Sequence, residues 1–285
     1  MTSKEDILKG ITFNDIINCM KITNEELTYD LNKLKEFNAD TNCIKLCGNK
    51  FLYHFQMENL LSVKRPIHPL LKDIMNDEVL HNQFIKEVIR RKNKQSLVKS
   101  IFETYRVNRG SVVFFKPATA MYLYKKYNAT HVLDPTAGWG GRMLGAYALD
   151  INYTGIDTNT DMKEAYDGMM KHMDNTKLKM IWQSALTVDF SEIDYDFVLT
   201  SPPYVNIEHY QGMNLFKDND EFYKEFLIPL IDKCRKHIKR NGKVAFNISP
   251  KMYNELLSYN YQLANEIINL PQKTDKSHKI YIYYN

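Results

Sequence analysis

An apolar segment that ends in Asp-Pro and runs into a glycine-rich loop constrains the fold of this chain more than any other feature. The segment is His131–Asp134, the loop extends to Gly140, and a helix is predicted to begin near Arg142. Glycines in such a loop allow the backbone to come close to a ligand. A loop of this kind lies at the carboxyl end of a strand in a doubly wound sheet, where ligands bind. Strands and helices alternate over residues 111–285, which predicts an α/β, Rossmann-like and mostly parallel sheet with helices on both faces.

Residues 1–57 are predicted to form a small N-terminal region that is helical or winged-helix-like. Two short helical patterns come first, with Asn24 as the expected cap of the second helix. Cys43–Leu46 and Phe51–Phe55 then favour a hairpin around the intervening Gly-Asn pair. Helix, turn, helix and β-wing is the order of a winged helix-turn-helix, and a helical cap with a hairpin fits equally well.

Composition and charge limit the classes of function. The chain has 38 Lys and Arg against 34 Asp and Glu, a formal net charge of +4, which permits nucleic acid as a partner without requiring it. No apolar run is long enough to span a membrane, and the N-terminus has no signal-peptide pattern, so we expect a cytoplasmic, nucleoid or nuclear protein that is neither secreted nor membrane-bound. The four cysteines lack the spacing of metal ligands, so we expect no metal site.

The glycine loop and the strand that follows it predict a nucleoside pocket. A dinucleotide fingerprint would need a third glycine where Met143 stands, and no Gly-Lys-Ser/Thr of a P-loop follows. The next predicted strand, Tyr153–Asp157, ends in an acid 157 − 138 = 19 residues after Gly138. A carboxylate at that position can accept hydrogen bonds from both hydroxyls of a ribose.

These segments resemble the cofactor motifs of the S-adenosylmethionine-dependent methyltransferases. The Asp-Pro and glycines are similar to motif I, and the segment before Pro117 is similar to motif X of the amino-methyltransferases, which helps to hold the methionine end of the cofactor. Where the family often has an acid that contacts adenine, this chain has Gln183 and Ser184, which are the candidate substitutes. The resemblance implies S-adenosylmethionine as cofactor, held by Phe115, Lys116, Pro117, Asp134, Pro135, Thr136, Ala137, Gly138, Gly140, Asp157 and Ser184.

The end of the next predicted strand, Asp196–Thr200, suits the methylation of an amine. It continues into four predicted catalytic residues, Ser201, Pro202, Pro203 and Tyr204. The two prolines have fixed φ angles and no N–H, so the strand tip presents acceptors, namely the serine hydroxyl and the backbone carbonyls. Acceptors that hold both N–H bonds of an aromatic amine direct its lone pair at a methyl sulfonium, and Tyr204 would stack on a base flipped out of the helix.

The tetrapeptide resembles motif IV, (Asp/Asn/Ser)-Pro-Pro-(Tyr/Phe/Trp), of the N4-cytosine and N6-adenine amino-methyltransferases, and the resemblance extends over residues 111–250. It implies the class I methyltransferase form of the Rossmann-like sheet and a site-specific DNA methyltransferase, such as those of restriction-modification systems. Within that family, serine at the first position of motif IV is commoner in N4-cytosine enzymes, whereas motif I before motif IV along the chain is commoner in N6-adenine enzymes. The target amine therefore stays open, with cytosine slightly favoured. An RNA base N-methyltransferase (adenine N6 or guanine N2), N-methylation of protein glutamine or a small molecule, and an inactive DNA-binding homologue are the alternatives.

Double-stranded DNA is the expected substrate, with RNA as the alternative. His209 and Tyr210 follow the tetrapeptide closely and are predicted to contact the base. Arg90 and Arg91 belong to the densest basic stretch, within a predicted basic helical connector over residues 58–110, and are candidates for phosphate contact. No recognition insert fits between the motifs, so specificity is predicted to come from residues 1–110. A second copy of the chain or a partner subunit stays open.

Overall fold

A computed structural model of the chain describes residues 3–64, 68–91, 96–109, 112–203, 216–271 and 278–285. The strands are β1 (His131–Asp134), β2 (Asn152–Asp157), β3 (Leu178–Trp182), β4 (Phe197–Thr200), β5 (Lys243–Ile248), β6 (Glu266–Ile268) and β7 (Lys279–Tyr284). The helices are α1 (Lys4–Lys9), α2 (Phe13–Asn18), α3 (Asn24–Glu36), α4 (Asn49–Leu61), α5 (Leu71–Asn76), α6 (Glu78–Arg90), α7 (Leu97–Arg109), α8 (Pro117–Lys126), α9 (Gly141–Ala148), α10 (Lys163–Met173), α11 (Asn219–Glu221), α12 (Ile228–His237) and α13 (Pro250–Ser258). A π-helical segment, Phe222–Leu227, joins α11 to α12.

The strands form one sheet in the order β3-β2-β1-β4-β5-β7-β6. Strands β1 to β5 run parallel, whereas β7 is antiparallel to both of its neighbours, β5 and β6. The α/β, Rossmann-like sheet of class I methyltransferase form, with helices on both faces, is therefore confirmed. The strand order reverses between β1 and β4, and the carboxyl ends of these two strands therefore border the crevice where ligands bind in such sheets.

Two buried clusters cover the two faces of the sheet. Val132 and Phe197 belong to one cluster, and their successors along the chain, Leu133 and Val198, belong to the other. Because successive side chains of a strand point to opposite faces, the two clusters lie on opposite sides of the sheet. Strands covered on both faces are the reason why these segments are apolar without alternation.

The N-terminal region packs onto the first of these faces as helices. Helix α3 begins at Asn24, and its cap is the preceding Thr23, whose side chain accepts the N–H of Glu26, so the prediction of Asn24 as the cap is wrong by one residue. Leu27 and Leu31 of α3 are buried in the same cluster as the strands. The described N-terminal residues therefore extend the hydrophobic core of the sheet.

The predicted hairpin is wrong, because the second of its strands is part of helix α4. Gly48 precedes the helix with a φ of 78°, so the Gly-Asn pair starts a helix instead of turning a hairpin. Phe51 and Phe55, one helical turn apart, have ring centroids 5.0 Å apart, and the first is fully buried. A winged helix is thus not present in residues 3–64. The division of the chain at residue 57 stays a prediction, although α4 runs across it.

Candidate functional site

The glycine loop between β1 and α9 is shaped by two residues in the left-handed region. Gly138 has a φ of 57° and Gly140 a φ of 88°, which residues with a Cβ rarely adopt. The loop is tied to its surroundings by the N–H of Ala137, which donates to the Ile156 carbonyl of β2 at 2.9 Å, and by the Tyr166 hydroxyl, which donates to the Gly138 carbonyl at 2.9 Å. The loop conformation is therefore fixed at the carboxyl edge of the sheet.

Asp134, at the end of β1, stabilises the loop from beneath. Its carboxylate is fully buried, and Oδ2 accepts hydrogen bonds from Arg142 Nε at 2.6 Å and from the Tyr153 hydroxyl at 2.7 Å. Burial lowers the pKa of the Arg142 guanidinium, but the Asp134 charge outweighs that effect, so this pKa is raised above its ordinary value. Arg142 also donates through Nη2 to the Thr136 carbonyl. We therefore assign to the Asp134 side chain the positioning of the loop.

Thr200, the last residue of β4, links the glycine loop to the predicted catalytic corner. Its hydroxyl donates to Asp134 Oδ1 at 2.9 Å and accepts the N–H of Thr136 at 3.2 Å. Since that hydroxyl proton is engaged, the 2.6 Å contact between the two threonine hydroxyls has Thr136 as its donor. The residue after Thr200 is Ser201, so the two loops are joined through side chains at the crevice between β1 and β4.

Asp157, at the end of β2, is partly exposed beside the glycine loop. Its Oδ2 accepts the N–H of Gly138 at 2.8 Å, and its Oδ1 accepts the N–H of Asn159 at 2.9 Å. Each carboxylate oxygen has a second lone pair for a further donor. Burial raises the pKa of Asp157 above its ordinary value. The fixed carboxylate can thus accept one hydroxyl on each oxygen, which fits the ribose of a nucleoside.

The motif X-like segment lies directly against the start of α9. A Cβ added to Gly141 would collide with the Phe115 carbonyl oxygen, so only glycine permits this approach. The Arg142 guanidinium stands 5.1 Å from the centroid of the Phe115 ring. Lys116 occupies the N-cap position of α8 without a side-chain capping hydrogen bond, and buried Pro117 is the first residue of the helix. The structure therefore brings together the segment before α8 and the glycine loop, as the resemblance implied.

Ser184 lies two residues beyond β3, whose last residue, Trp182, pairs with Asp157 of β2. The Ser184 hydroxyl accepts the N–H of Leu186 at 3.3 Å, and the backbone carbonyl of Ser184 accepts the N–H of Thr187 at 2.9 Å. The serine is partly buried and stabilises the turn after β3. Its contact with adenine stays a prediction.

Ser201 is held by Asn247, a residue that the sequence interpretation did not single out. Thr200 pairs with Phe246 of β5, so the next residues, Ser201 and Asn247, come level with one another. The Ser201 hydroxyl donates to the Asn247 carbonyl at 3.2 Å and accepts from Asn247 Nδ2 at 3.4 Å. A polar side chain near the end of the apolar strand β5 was the available signal, and it becomes meaningful only once β4 and β5 are known to be neighbours.

Of the other predicted catalytic and substrate-binding residues, the described ones lie partly at the corner after β4 and partly at the end of helix α6. Pro202 is buried and Pro203 partly buried beside Ser201. Arg90 and Arg91 are exposed at the end of α6, a helix that packs against α1, α5 and α7. The other three residues lie outside the described part of the chain: Tyr204, His209 and Tyr210.

Two general features of the described residues complete the site. Across the ranges given above, no group of three or more His, Cys, Asp or Glu side chains has an arrangement that would hold a metal ion. In the same ranges, no helix combines the length and the apolar character needed to cross a membrane.

Comparisons with known proteins give a likeness to solved methyltransferase structures. A Listeria monocytogenes protein described as a class I S-adenosylmethionine-dependent methyltransferase is 16% identical, with a TM-score of 0.47 over 92% of this chain and 88% of that one. An rRNA methylase from Streptococcus thermophilus is 11% identical, with a TM-score of 0.41 over 60% and 97%. Methanocaldococcus jannaschii Trm5, solved with adenosine, is 16% identical, with a TM-score of 0.41 over 61% and 51%.

Neither the protein-family models nor the curated proteins contain a match to this chain. The likeness to the solved structures is one of fold.

Proposed function

We propose that this protein transfers a methyl group from S-adenosylmethionine to an exocyclic amine of a DNA base, N4 of cytosine or N6 of adenine. The observation that carries the proposal is the 2.6 Å contact between Thr136 and Thr200, which joins the glycine loop to the strand that continues into Ser201-Pro202-Pro203. A nucleoside-binding loop and a corner rich in acceptors thus border one crevice. Direct transfer between two bound substrates requires this juxtaposition.

The residues of the crevice fit the cofactor. Asp157 has one lone pair left on each oxygen for the two ribose hydroxyls, and Gly138 and Gly140 give the loop a backbone conformation that other residues resist. Phe115 and its neighbours adjoin the same loop and would hold the methionine end. When bound, S-adenosylmethionine supplies an electrophilic methyl group on a sulfonium.

The corner after β4 suits an amine as the acceptor of that methyl group. The Ser201 hydroxyl proton is directed to the Asn247 carbonyl, which leaves an oxygen lone pair to accept an N–H of the substrate. Pro202 and Pro203 have no N–H that would compete for this lone pair. Hydrogen bonds from the amine to these acceptors direct its lone pair toward the methyl group. We assign to Tyr204 the stacking on the flipped base.

We assign DNA contact to the basic connector, because a methyltransferase that acts on duplex DNA must also bind phosphates. Arg90 and Arg91 are exposed and have room to reach a phosphate backbone. His209 and Tyr210 are assigned to the base itself. A DNA substrate would place the protein in the nucleoid or nucleus.

The test is to incubate the full chain with methyl-labelled S-adenosylmethionine and, separately, with unmethylated double-stranded DNA, total RNA and a protein extract. We expect the label in DNA, as N4-methylcytosine or N6-methyladenine on nucleoside mass spectrometry. Label in RNA alone, in protein alone or in none of the three pools would contradict the DNA assignment.

The Arg90→Ala/Arg91→Ala double variant is expected to raise the KM for DNA without changing cofactor binding. Lys4→Ala, at another exposed position, is the control and should leave the KM for DNA unchanged.

A further inference from the structure

Asn247 has one amide atom in use and one without a partner. Its Nδ2 donates to Ser201 Oγ at 3.4 Å, and its backbone carbonyl accepts the Ser201 hydroxyl at 3.2 Å. Its Oδ1 is buried and accepts no hydrogen bond in the structure. A buried acceptor without a donor costs free energy, so a donor for this oxygen is expected in the working state of the enzyme.

The position of this acceptor is chemically informative. Asn247 stands on β5 level with Ser201 on β4, at the carboxyl edge where the proposed base would enter. Ser201 Oγ and Asn247 Oδ1 are then two neighbouring acceptors, held in place by the bonds between the two residues. An exocyclic amine carries two N–H groups and would satisfy both acceptors at once.

We propose that Asn247 is the second amine-binding residue of the site, with its Oδ1 accepting one N–H of the target amine while Ser201 Oγ accepts the other. This inference rests on the proposed function and adds a residue and a basis for selectivity to it. The pair of acceptors fixes the plane of the two N–H bonds, so that the nitrogen lone pair projects out of that plane toward the methyl group. Methyl transfer forms the N–C bond, breaks the S–C bond, and releases one amine proton to solvent.

The same pair of acceptors would select against the other bases. Thymine has a carbonyl where cytosine has its amine, and guanine has a carbonyl where adenine has its amine. A carbonyl oxygen facing two acceptors leaves all three without a donor, which a buried polar site rejects strongly. Asn247 therefore contributes to the choice of base as well as to the rate.

The experiment compares Asn247→Leu, which removes the acceptor and the donor, with Asn247→Asp, which keeps an acceptor of nearly the same shape. Asn254→Leu, at an exposed position on α13, is the matched control. Methyl transfer to unmethylated double-stranded DNA is measured as kcat and KM, and S-adenosylhomocysteine binding by calorimetry. We expect kcat to fall about tenfold in Asn247→Leu, the loss of one hydrogen bond, and to recover to within about threefold of the wild type in Asn247→Asp.

Cofactor affinity of Asn247→Asp should match that of the wild type, and the unfolding temperature of each variant, measured separately, shows whether it is folded. Equal kcat in Asn247→Leu and the wild type would overturn the inference. So would an aspartate variant no better than the leucine variant, because then only the Nδ2 contact with Ser201 matters. If no variant and no wild-type protein methylates DNA, the proposed function fails instead, which separates the two outcomes.

Discussion

Replacing Arg142 with methionine is expected to lower the free energy of unfolding by about 3–5 kcal/mol, because it removes one partner of a buried ion pair. The Asp134 carboxylate is fully buried and Arg142 is 4% exposed, so the charge left behind has no access to water. The hydroxyls of Tyr153 and Thr200 stay as neutral donors and offset only part of the loss. Urea unfolding followed by circular dichroism measures the change.

Arg106→Met is the matched control for this prediction. Arg106 pairs with Glu103 at 2.7 Å, but both side chains are partly exposed, and such pairs contribute about 1 kcal/mol or less. The Asp134→Asn/Arg142→Met double variant should recover part of the stability, since it buries no unpaired charge. A similar small destabilisation by Arg142→Met and Arg106→Met would show that the pair does not support the loop.

Replacing Asp157 with alanine is expected to weaken the binding of S-adenosylhomocysteine at least about 100-fold. The carboxylate is the proposed acceptor of both ribose hydroxyls, and each hydrogen bond to a charged group contributes about 1.5–3 kcal/mol. It also orients the glycine loop through the N–H of Gly138. Isothermal calorimetry measures the affinity, and the unfolding temperature shows that the variant is folded.

Asp150→Ala is the control for Asp157, because Asp150 lies in the preceding turn and its side chain is 73% exposed. Its cofactor affinity should equal that of the wild type. Since burial raises the pKa of Asp157, acidification toward that pKa protonates the carboxyl and should weaken cofactor binding. Asp157→Asn, which has no proton to gain, should lose this pH dependence. Unchanged affinity in Asp157→Ala would remove the ribose assignment.

The sheet and the position of the crevice could be predicted because local signals agree there with the tertiary fold. Strands β1 and β4 are short, mostly apolar runs bounded by polar or turn residues, and their predicted limits lie within one residue of the observed ones. Asp157 was predicted at the end of β2 and is found beside the glycine loop. Burial on both faces of the sheet gives these segments a short, continuous apolar run, which differs from the periodic pattern of an amphipathic helix.

The second strand of the predicted hairpin, Phe51–Phe55, is part of helix α4, and this prediction is wrong because so short an apolar run has no clear period. Phe51, Tyr53 and Phe55 alternate as in a strand, and the same residues also fit one and a half turns of helix. The choice is made by tertiary contacts: Phe55 packs against Gly168 of α10, and Leu52 lies beside Gly140 of the glycine loop. Neither neighbour is close in the sequence, so no local pattern contains this information.

The hydrogen bonds that support the site from within the fold could not be predicted from the sequence. The contact of Asp134 with the cofactor stays a prediction, whereas the hydrogen bonds that its oxygens accept come from Arg142, Tyr153 and Thr200, on three separate elements. Asn247 was not recognised because its significance depends on the pairing of β4 with β5. A residue that positions another side chain cannot be recognised from spacing in the sequence, because the order of the strands determines which residues become its partners.

The central claim is that the glycine loop and the corner that begins at Ser201 form one pocket in which a bound cofactor meets an amine. The most direct measurement is the single-turnover rate of methyl transfer to double-stranded DNA by Ser201→Ala, with Ser191→Ala, at an exposed serine, as control. The account predicts a rate at least about tenfold below the wild type, with the affinity for S-adenosylhomocysteine unchanged. A wild-type rate in Ser201→Ala would contradict it.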